Sequence, residues 1–323
     1  MSDFKFLQNP VTKKWVISAL RRAKRPDIAH SHGAEPVCPF CPGREGEEAE
    51  VYRVSGGTQE TEARGLRGDK GDKLTQGQMS DPSGSSSDSD WLVRVIPNKF
   101  PFATIHEVVV HSPDHHKGFG ELSVDHAALV LQTYRQRYLA HKDSGEVYIF
   151  HNRGEAGGES LPHPHSQIAV VPLEMTLEIP PMNETDLILD RFVESERFYV
   201  FCPDTSQWPD EIWIAPKRRD VTFGDITDEE TVDLATTVTQ LVDIFDLRHG
   251  HELPFNFYIY PGQDWYLRII PRVKVVGGFE VGTQIFVNTQ DPKETFSFIR
   301  EHFETPDHEK IRREQRAEYS KHS

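Results

Sequence analysis

The segment from Asn152 to Gln167 reads Asn-Arg-Gly-Glu-Ala-Gly-Gly-Glu-Ser-Leu-Pro-His-Pro-His-Ser-Gln, and it runs directly into the apolar, β-type stretch Ile-Ala-Val-Val. Two histidines alternate across a proline, a glutamine follows two positions later, and a glycine-rich turn precedes them. In an extended segment the residues at i, i+2 and i+4 share a face. His163, His165 and Gln167 are therefore expected to project together. Gly157, Gly158 and Ser160 would let backbone amides approach an anion closely. An imidazole beside a phosphate cradle points to nucleophilic chemistry at phosphorus.

Around this segment lies a chain of 323 residues, long enough for two domains with their own cores. No apolar run approaches the roughly 18 residues needed to span a bilayer. The first residues, Met-Ser-Asp-Phe-Lys-Phe, lack the apolar core of a signal peptide, so a cytoplasmic location without membrane attachment is expected. The net charge of −15 argues against a nucleic-acid partner, which would need clustered Lys and Arg. It leaves room for a nucleotide-sized substrate in a local pocket. Three cysteines, two of them in one Cys-x-x-Cys pair, do not make a disulfide scaffold.

Strands are expected over residues 91–96, 107–110, 146–151 and 167–171, with a short one within 4–20. A helix is expected over 124–142, with Ser123 as its N-cap and His126 where a capping box would place Glu or Gln. A similar round follows: strands over 198–202 and 211–215, a helix over 228–247, and strands over 255–260 and 265–270. The order strand, strand, helix, strand, strand occurs twice, which implies a duplicated α+β architecture. The Gly-, Ser- and Asp-rich stretch over 55–90 reads as a flexible insertion, and the charged tail from Asp307 as a frayed helix.

Cys38-Pro-Phe-Cys41 has zinc-knuckle spacing and alone supplies half of a tetrahedral site. A redox pair is the alternative, but Pro39, Pro42 and Gly43 favour a turn over the helix N-terminus that a redox pair prefers. Histidines are the candidates for the remaining ligands. His163 and His165 would then divide their roles, one binding metal and the other serving as a neutral nucleophile whose second ring nitrogen is held by a carbonyl. Arg22 and Arg25, three apart before Pro26, suit either an exposed basic turn or a phosphate clamp.

Taken in order, Arg22-Ala-Lys-Arg-Pro26, Cys38-Pro-Phe-Cys41, Pro97-Asn-Lys-Phe100, Ser112-Pro-Asp-His115, Asn152…His163-Pro-His165-Ser-Gln167, Trp213-Ile-Ala-Pro-Lys-Arg218 and Gly277-Gly-Phe-Glu280 resemble the galactose-1-phosphate uridylyltransferases of the histidine-triad superfamily. The resemblance covers most of the chain. It implies two tandem histidine-triad-like α+β domains, 1–180 and 181–323, with antiparallel sheets and packed helices. It implies a structural zinc site of Cys38, Cys41, His115 and His163. It makes His165 the nucleophile toward the α-phosphorus of a nucleotide sugar, Gln167 a partner of the transferred phosphoryl group, and Ser160 a further catalytic contact. Arg22, Arg25, Asn98, Asn152, Gly158 and Lys274 become substrate-binding residues. A sugar 1-phosphate would be the second substrate, and a homodimer the assembly.

Three positions depart from the family pattern. Lys99 stands where many members carry aspartate, Ser166 replaces a glycine common in uridylyltransferases, and Asp264-Trp-Tyr266 replaces a second His-x-His, so a second metal site is not expected. The leading function is transfer of a nucleoside monophosphate, UMP first, between sugar 1-phosphates. The alternatives are a phosphorylase of adenylyl sugars or dinucleoside polyphosphates, and a non-catalytic zinc-stabilised nucleotide-binding protein.

Overall fold

A computed structural model describes residues 4–24, 37–56, 90–182 and 192–304. Arg25, residues 57–89 of the insertion and the tail from Asp307 lie outside the described residues. A small hairpin comes first, β1 (Lys5–Gln8) against β2 (Trp15–Ser18). Among the described residues the other ten strands form one antiparallel sheet. In chain order they are β3 (Tyr52–Ser55), β4 (Trp91–Pro97), β5 (Ile105–Val110), β6 (Glu146–Arg153), β7 (His165–Val171), β8 (Phe192–Glu194), β9 (Phe198–Phe201), β10 (Ile212–Pro216), β11 (Phe255–Ile259) and β12 (Leu267–Pro271). The described residues also form the α-helices α1 (Val124–His141), α2 (Asp228–His249), α3 (Gly278–Thr283) and α4 (Pro292–Glu304).

Across the sheet the strands run β3-β4-β5-β7-β6-β11-β12-β10-β9-β8. Counted outward from the central β6–β11 pair, each half presents its fourth, fifth, third, second and first strand. Each half also carries one long helix between its third and fourth strands. The repeated order of elements in the sequence is thus a repeated topology, an α+β fold of two like halves. The halves meet edge to edge through β6 and β11, with Asn152 opposite Asn256 and Phe150 opposite Tyr258, so the sheet is continuous.

Local chemistry accounts for the helices. Ser123 accepts from the His126 N–H at 3.2 Å to start α1. Thr227 and Glu230 form a reciprocal capping box at the start of α2, whose first turn holds Asp228, Glu229 and Glu230 and whose last holds Arg248 and His249, complementing the helix dipole at both ends. Both helices lie on one face of the sheet and pack against each other. Val130, Leu131 and Tyr134 of α1, with Leu234, Val238 and Leu241 of α2, join Val147, Ile168, Phe257 and Leu267 of the sheet in one buried cluster that spans the halves.

β12 starts at Leu267 rather than at the expected residue 265, because Asp264 adopts φ +57° in the turn and Tyr260 N–H donates to the Tyr266 carbonyl across it. β7 starts two residues earlier than expected, at His165. α4, in a stretch to which the sequence pattern assigned nothing, packs against α2 with Phe296 and Ile299 buried. Among the described residues no helix is long and apolar enough to cross a membrane.

Candidate active site

The two faces of β7 do different work. Ile168 and Val170 point to the helices, while His165, Gln167 and Ala169 point to the opposite face. Over that opposite face the loop 37–48 and the strand β4 enclose a cavity of about 340 Å³. Phe40, Asn98, Val108, Ser160, His165 and Gln167 all contribute to its wall. His163 lies just before the strand and turns away from this face, toward the Cys-x-x-Cys turn.

There, Cys38, Cys41, His115 and His163 place their ligand atoms within 4.8 Å of one another, a group that could hold a metal ion. Cys41 Sγ lies 3.2 Å from His115 Nδ1 and 3.7 Å from His163 Nδ1, and Cys38 Sγ is 3.7 Å from His163 Nδ1. The far nitrogen of His163, Nε2, donates to the Ser112 carbonyl at 2.8 Å, so Nδ1 carries the lone pair that faces the thiols. Burial drives the His163 imidazole down to about 4 and the Cys38 thiol up to about 11, with the neighbouring Cys41 adding to the latter. A second group, Glu121, Asp246 and His251, has the Arg153 guanidinium beside its two carboxylates, 3.3 Å from Asp246 and 3.7 Å from Glu121. Arg153 already offsets that charge.

His165 is oriented by its own backbone. Its Nδ1 donates to the His163 carbonyl at 2.9 Å, and a carbonyl can only accept, so the lone pair sits on Nε2. The ring edge of Phe40 flanks it at 5.3 Å. Behind the strand, His151 Nδ1 donates to the His165 carbonyl at 2.9 Å. Ser166 faces the helices and meets His111 at 2.8 Å and the Tyr134 hydroxyl at 2.5 Å. Burial among apolar rings lowers His151 to about 3 and His111 well below the ordinary imidazole value, so both are neutral.

The glycine turn differs from expectation. The N–H groups of Gly157, Gly158 and Glu159 donate to Gly154, Glu155 and Gly154 carbonyls at 2.9–3.1 Å, within the turn itself. These amides therefore do not form an outward anion cradle. Gly154, at φ +73°, packs against Pro254, where a Cβ would sit 3.0 Å from the proline ring. Ser160 lines the cavity; Asn152 and Gly158 do not. Asn98 Oδ1 accepts from the Phe100 N–H at 2.9 Å, and Asn98 Nδ2 donates to Gln167 Oε1 at 3.3 Å. Arg22 donates to the Phe100 carbonyl at 2.8 Å and lies over the Phe102 ring, which ties it to the same loop. Lys274 belongs to the second half, paired with Glu280 at 2.9 Å and with the Val287 carbonyl, and contributes nothing to this cavity.

The site also uses side chains that the motif reading passed over: His106, which meets Gln167 at 3.0 Å, and the buried His111, His151 and Tyr134. A polar residue interrupting an apolar alternation, as His106 does ahead of Val108 and Val110, was the available signal.

Residues 103–171, which hold His115, Ser160, His163, His165 and Gln167, match the family model for the galactose-1-phosphate uridyl transferase N-terminal domain. The solved structure of an ADP-glucose phosphorylase from Arabidopsis thaliana with bound ADP-glucose superposes with a TM-score of 0.64 at 26% identity, covering 92% of this chain and 99% of that one. Over residues 103–171 the chain is similar to the galactose-1-phosphate uridylyltransferases. By sequence it is 28% identical over 270 residues to ADP-glucose phosphorylase of Arabidopsis thaliana, covering 66% of this chain and 75% of that protein. It is 25% identical over 232 residues to galactose-1-phosphate uridylyltransferase of Thermotoga maritima, covering 60% and 73%. Both of these relatives are named as enzymes, one a phosphorylase and the other a uridylyltransferase.

Proposed function

We propose that this enzyme transfers a nucleoside monophosphate, UMP in the leading reading, from a nucleotide sugar to a sugar 1-phosphate through a covalent adduct on His165. The observation that carries the reading is the bond from His165 Nδ1 to the His163 carbonyl, which sets the Nε2 lone pair on the ring of a residue lining the cavity. In the first step Nε2 bonds to the α-phosphorus and the bond from phosphorus to the bridging oxygen breaks, releasing sugar 1-phosphate. In the second, a phosphate oxygen of the incoming sugar 1-phosphate bonds to that phosphorus and the bond to Nε2 breaks. Gln167 and Ser160, on the same cavity wall, are the candidate donors to the phosphoryl oxygens as charge shifts. Arg22 supports the Asn98 loop rather than contacting the cavity wall itself.

The Cys38, Cys41, His115 and His163 group fits zinc. Tetrahedral ligands with bonds of about 2.3 Å to sulfur and 2.0 Å to nitrogen stand about 3.5 Å apart, and the sulfur–nitrogen separations here are 3.2–3.7 Å. Two thiolates and two imidazoles complete four positions, so zinc there would stabilise the loop behind His165 without taking part in the transfer.

A second reading, an adenylyl-sugar phosphorylase that uses inorganic phosphate as acceptor, is favoured by the likeness to ADP-glucose phosphorylase in both sequence and structure. Incubation with UDP-glucose or ADP-glucose alone, followed by intact-protein mass spectrometry, separates the two by the mass of the adduct. Chase with galactose 1-phosphate or with inorganic phosphate then identifies the acceptor. A protein that binds nucleotide but gains no mass with either donor would be a binding protein, not a transferase.

A further inference from the structure

Gln167 has two chemically different ends, a carbonyl that accepts and an NH2 that donates, and its position in the motif does not say which end faces the substrate. Two backbone amides in the loop after β4 decide it. The Phe100 N–H donates to Asn98 Oδ1 at 2.9 Å, and the Phe102 N–H donates to His106 Nδ1 at 3.3 Å. A backbone N–H only donates, so each contact fixes a side chain. His106 Nδ1 is the acceptor, and the proton of the neutral ring sits on Nε2. Asn98 has its oxygen toward Phe100 and its NH2 on the other side.

Both resulting donors converge on one atom. His106 Nε2 is 3.0 Å from Gln167 Oε1 and Asn98 Nδ2 is 3.3 Å from it, the two nitrogens lying 3.2 Å apart beside that shared oxygen. A flipped Gln167 amide would set its own NH2 against two N–H groups. His106 is placed for this by the sheet: on β5 it pairs with Ala169, two residues along β7 and on the same face as Gln167. It is buried, with its ring against that of Phe102 at 4.2 Å.

We propose that His106 is a positioning residue which, with Asn98, holds the Gln167 carbonyl so that the Gln167 NH2 is the end offered to the phosphoryl group. The proposal rests on the reading of His165 as nucleophile and deepens it. Without the hold, Gln167 would offer an acceptor to a phosphoryl oxygen in some molecules, removing a donor where negative charge shifts.

The test compares His106→Gln with His106→Glu, which differ in whether a donor or an acceptor meets Gln167 Oε1. The Glu variant is expected to slow adduct formation by about 10²-fold, with KM changed less than about threefold and with unchanged zinc content. The Gln variant recovers most of that rate. In a Gln167→Ala background the two variants react alike. Equal losses in both variants, or losses that add fully to Gln167→Ala, would overturn the proposal. A readout independent of activity is the long-range 15N–1H spectrum of the wild-type protein, with the His106 signal assigned through its loss in His106→Gln. The Nε2–H tautomer is expected, and an Nδ1–H tautomer would sink the proposal whether or not a nucleotidyl adduct forms.

Discussion

Asn256, on β11 of the second half, donates through Nδ2 to Oδ1 of Asn152 at 2.8 Å and to the Gly157 carbonyl at 2.7 Å. Its own oxygen accepts from Arg272 at 3.0 Å. One amide from the second half therefore fixes the strand end and the glycine turn that lead into His163 and His165.

Replacing that donor tests the link. Asn256→Asp presents a carboxylate to two acceptors and should destabilise the fold by about 1–3 kcal/mol in urea denaturation, more than Asn256→Ala. An Asp variant as stable as wild type would mean that the bridge holds nothing.

Gly154 combines a positive φ with contact to Pro254, and its ψ of 166° belongs to a region nearly closed to other residues. Gly154→Ala is expected to cost about 1–3 kcal/mol. Gly158→Ala, with φ +79° but open space around it, should cost less. Equal losses would show that neither the ψ of 166° nor the Pro254 contact sets Gly154 apart from Gly158.

Stability should carry two opposed pH dependences near this turn. His151 is lowered by burial to about 3, so its contribution is intact above pH 6.5 and is lost as pH falls from 6.5 toward 3. Glu159 is raised by burial to about 7, so the folded state gains relative stability as pH falls from 7 toward 4.5. Glu159→Gln removes the second effect. Its stability should fall more steeply than that of wild type between pH 7 and 4.5, with a slope of at most about 1.4 kcal/mol per pH unit for each proton taken up. Parallel wild-type and variant curves from urea titrations across that range would contradict the assignment.

Metal analysis of the purified protein should give about one zinc per chain. Cys38→Ser or Cys41→Ser should lose it and unfold at lower temperature, while Cys202→Ser, buried in the core away from the group, should keep it. Loss of zinc in the Cys202 variant, or its retention in the other two, would reassign the ligands.

Gln167→Glu keeps an acceptor for His106 and Asn98 but removes the NH2 and adds charge beside a phosphoryl group. The rate of adduct formation should drop by about 10²-fold. An unchanged rate would remove Gln167 from the transfer step.

The sequence by itself determined what local chemistry controls. Periodicity located both long helices and most of the sheet strands, Ser123 marked its cap, and the repeated order of elements stated the duplication. His163 and His165, two apart across a proline, already implied that two imidazoles would share one short segment. Their separation into a metal-facing ring and a cavity-facing ring was decided in three dimensions, because β7 begins at His165 and leaves His163 in the loop beside Cys38 and Cys41, 125 and 122 residues away in sequence. The glycine turn shows the limit most plainly. Its composition suggested outward amides, yet closing the turn uses three of them internally, since the N–H groups of Gly157, Gly158 and Glu159 each reach a carbonyl of the same turn. The orientation of Gln167 and the bridge from Asn256 to Asn152 depend on strands that pair only in the folded sheet, so no local pattern could have carried them.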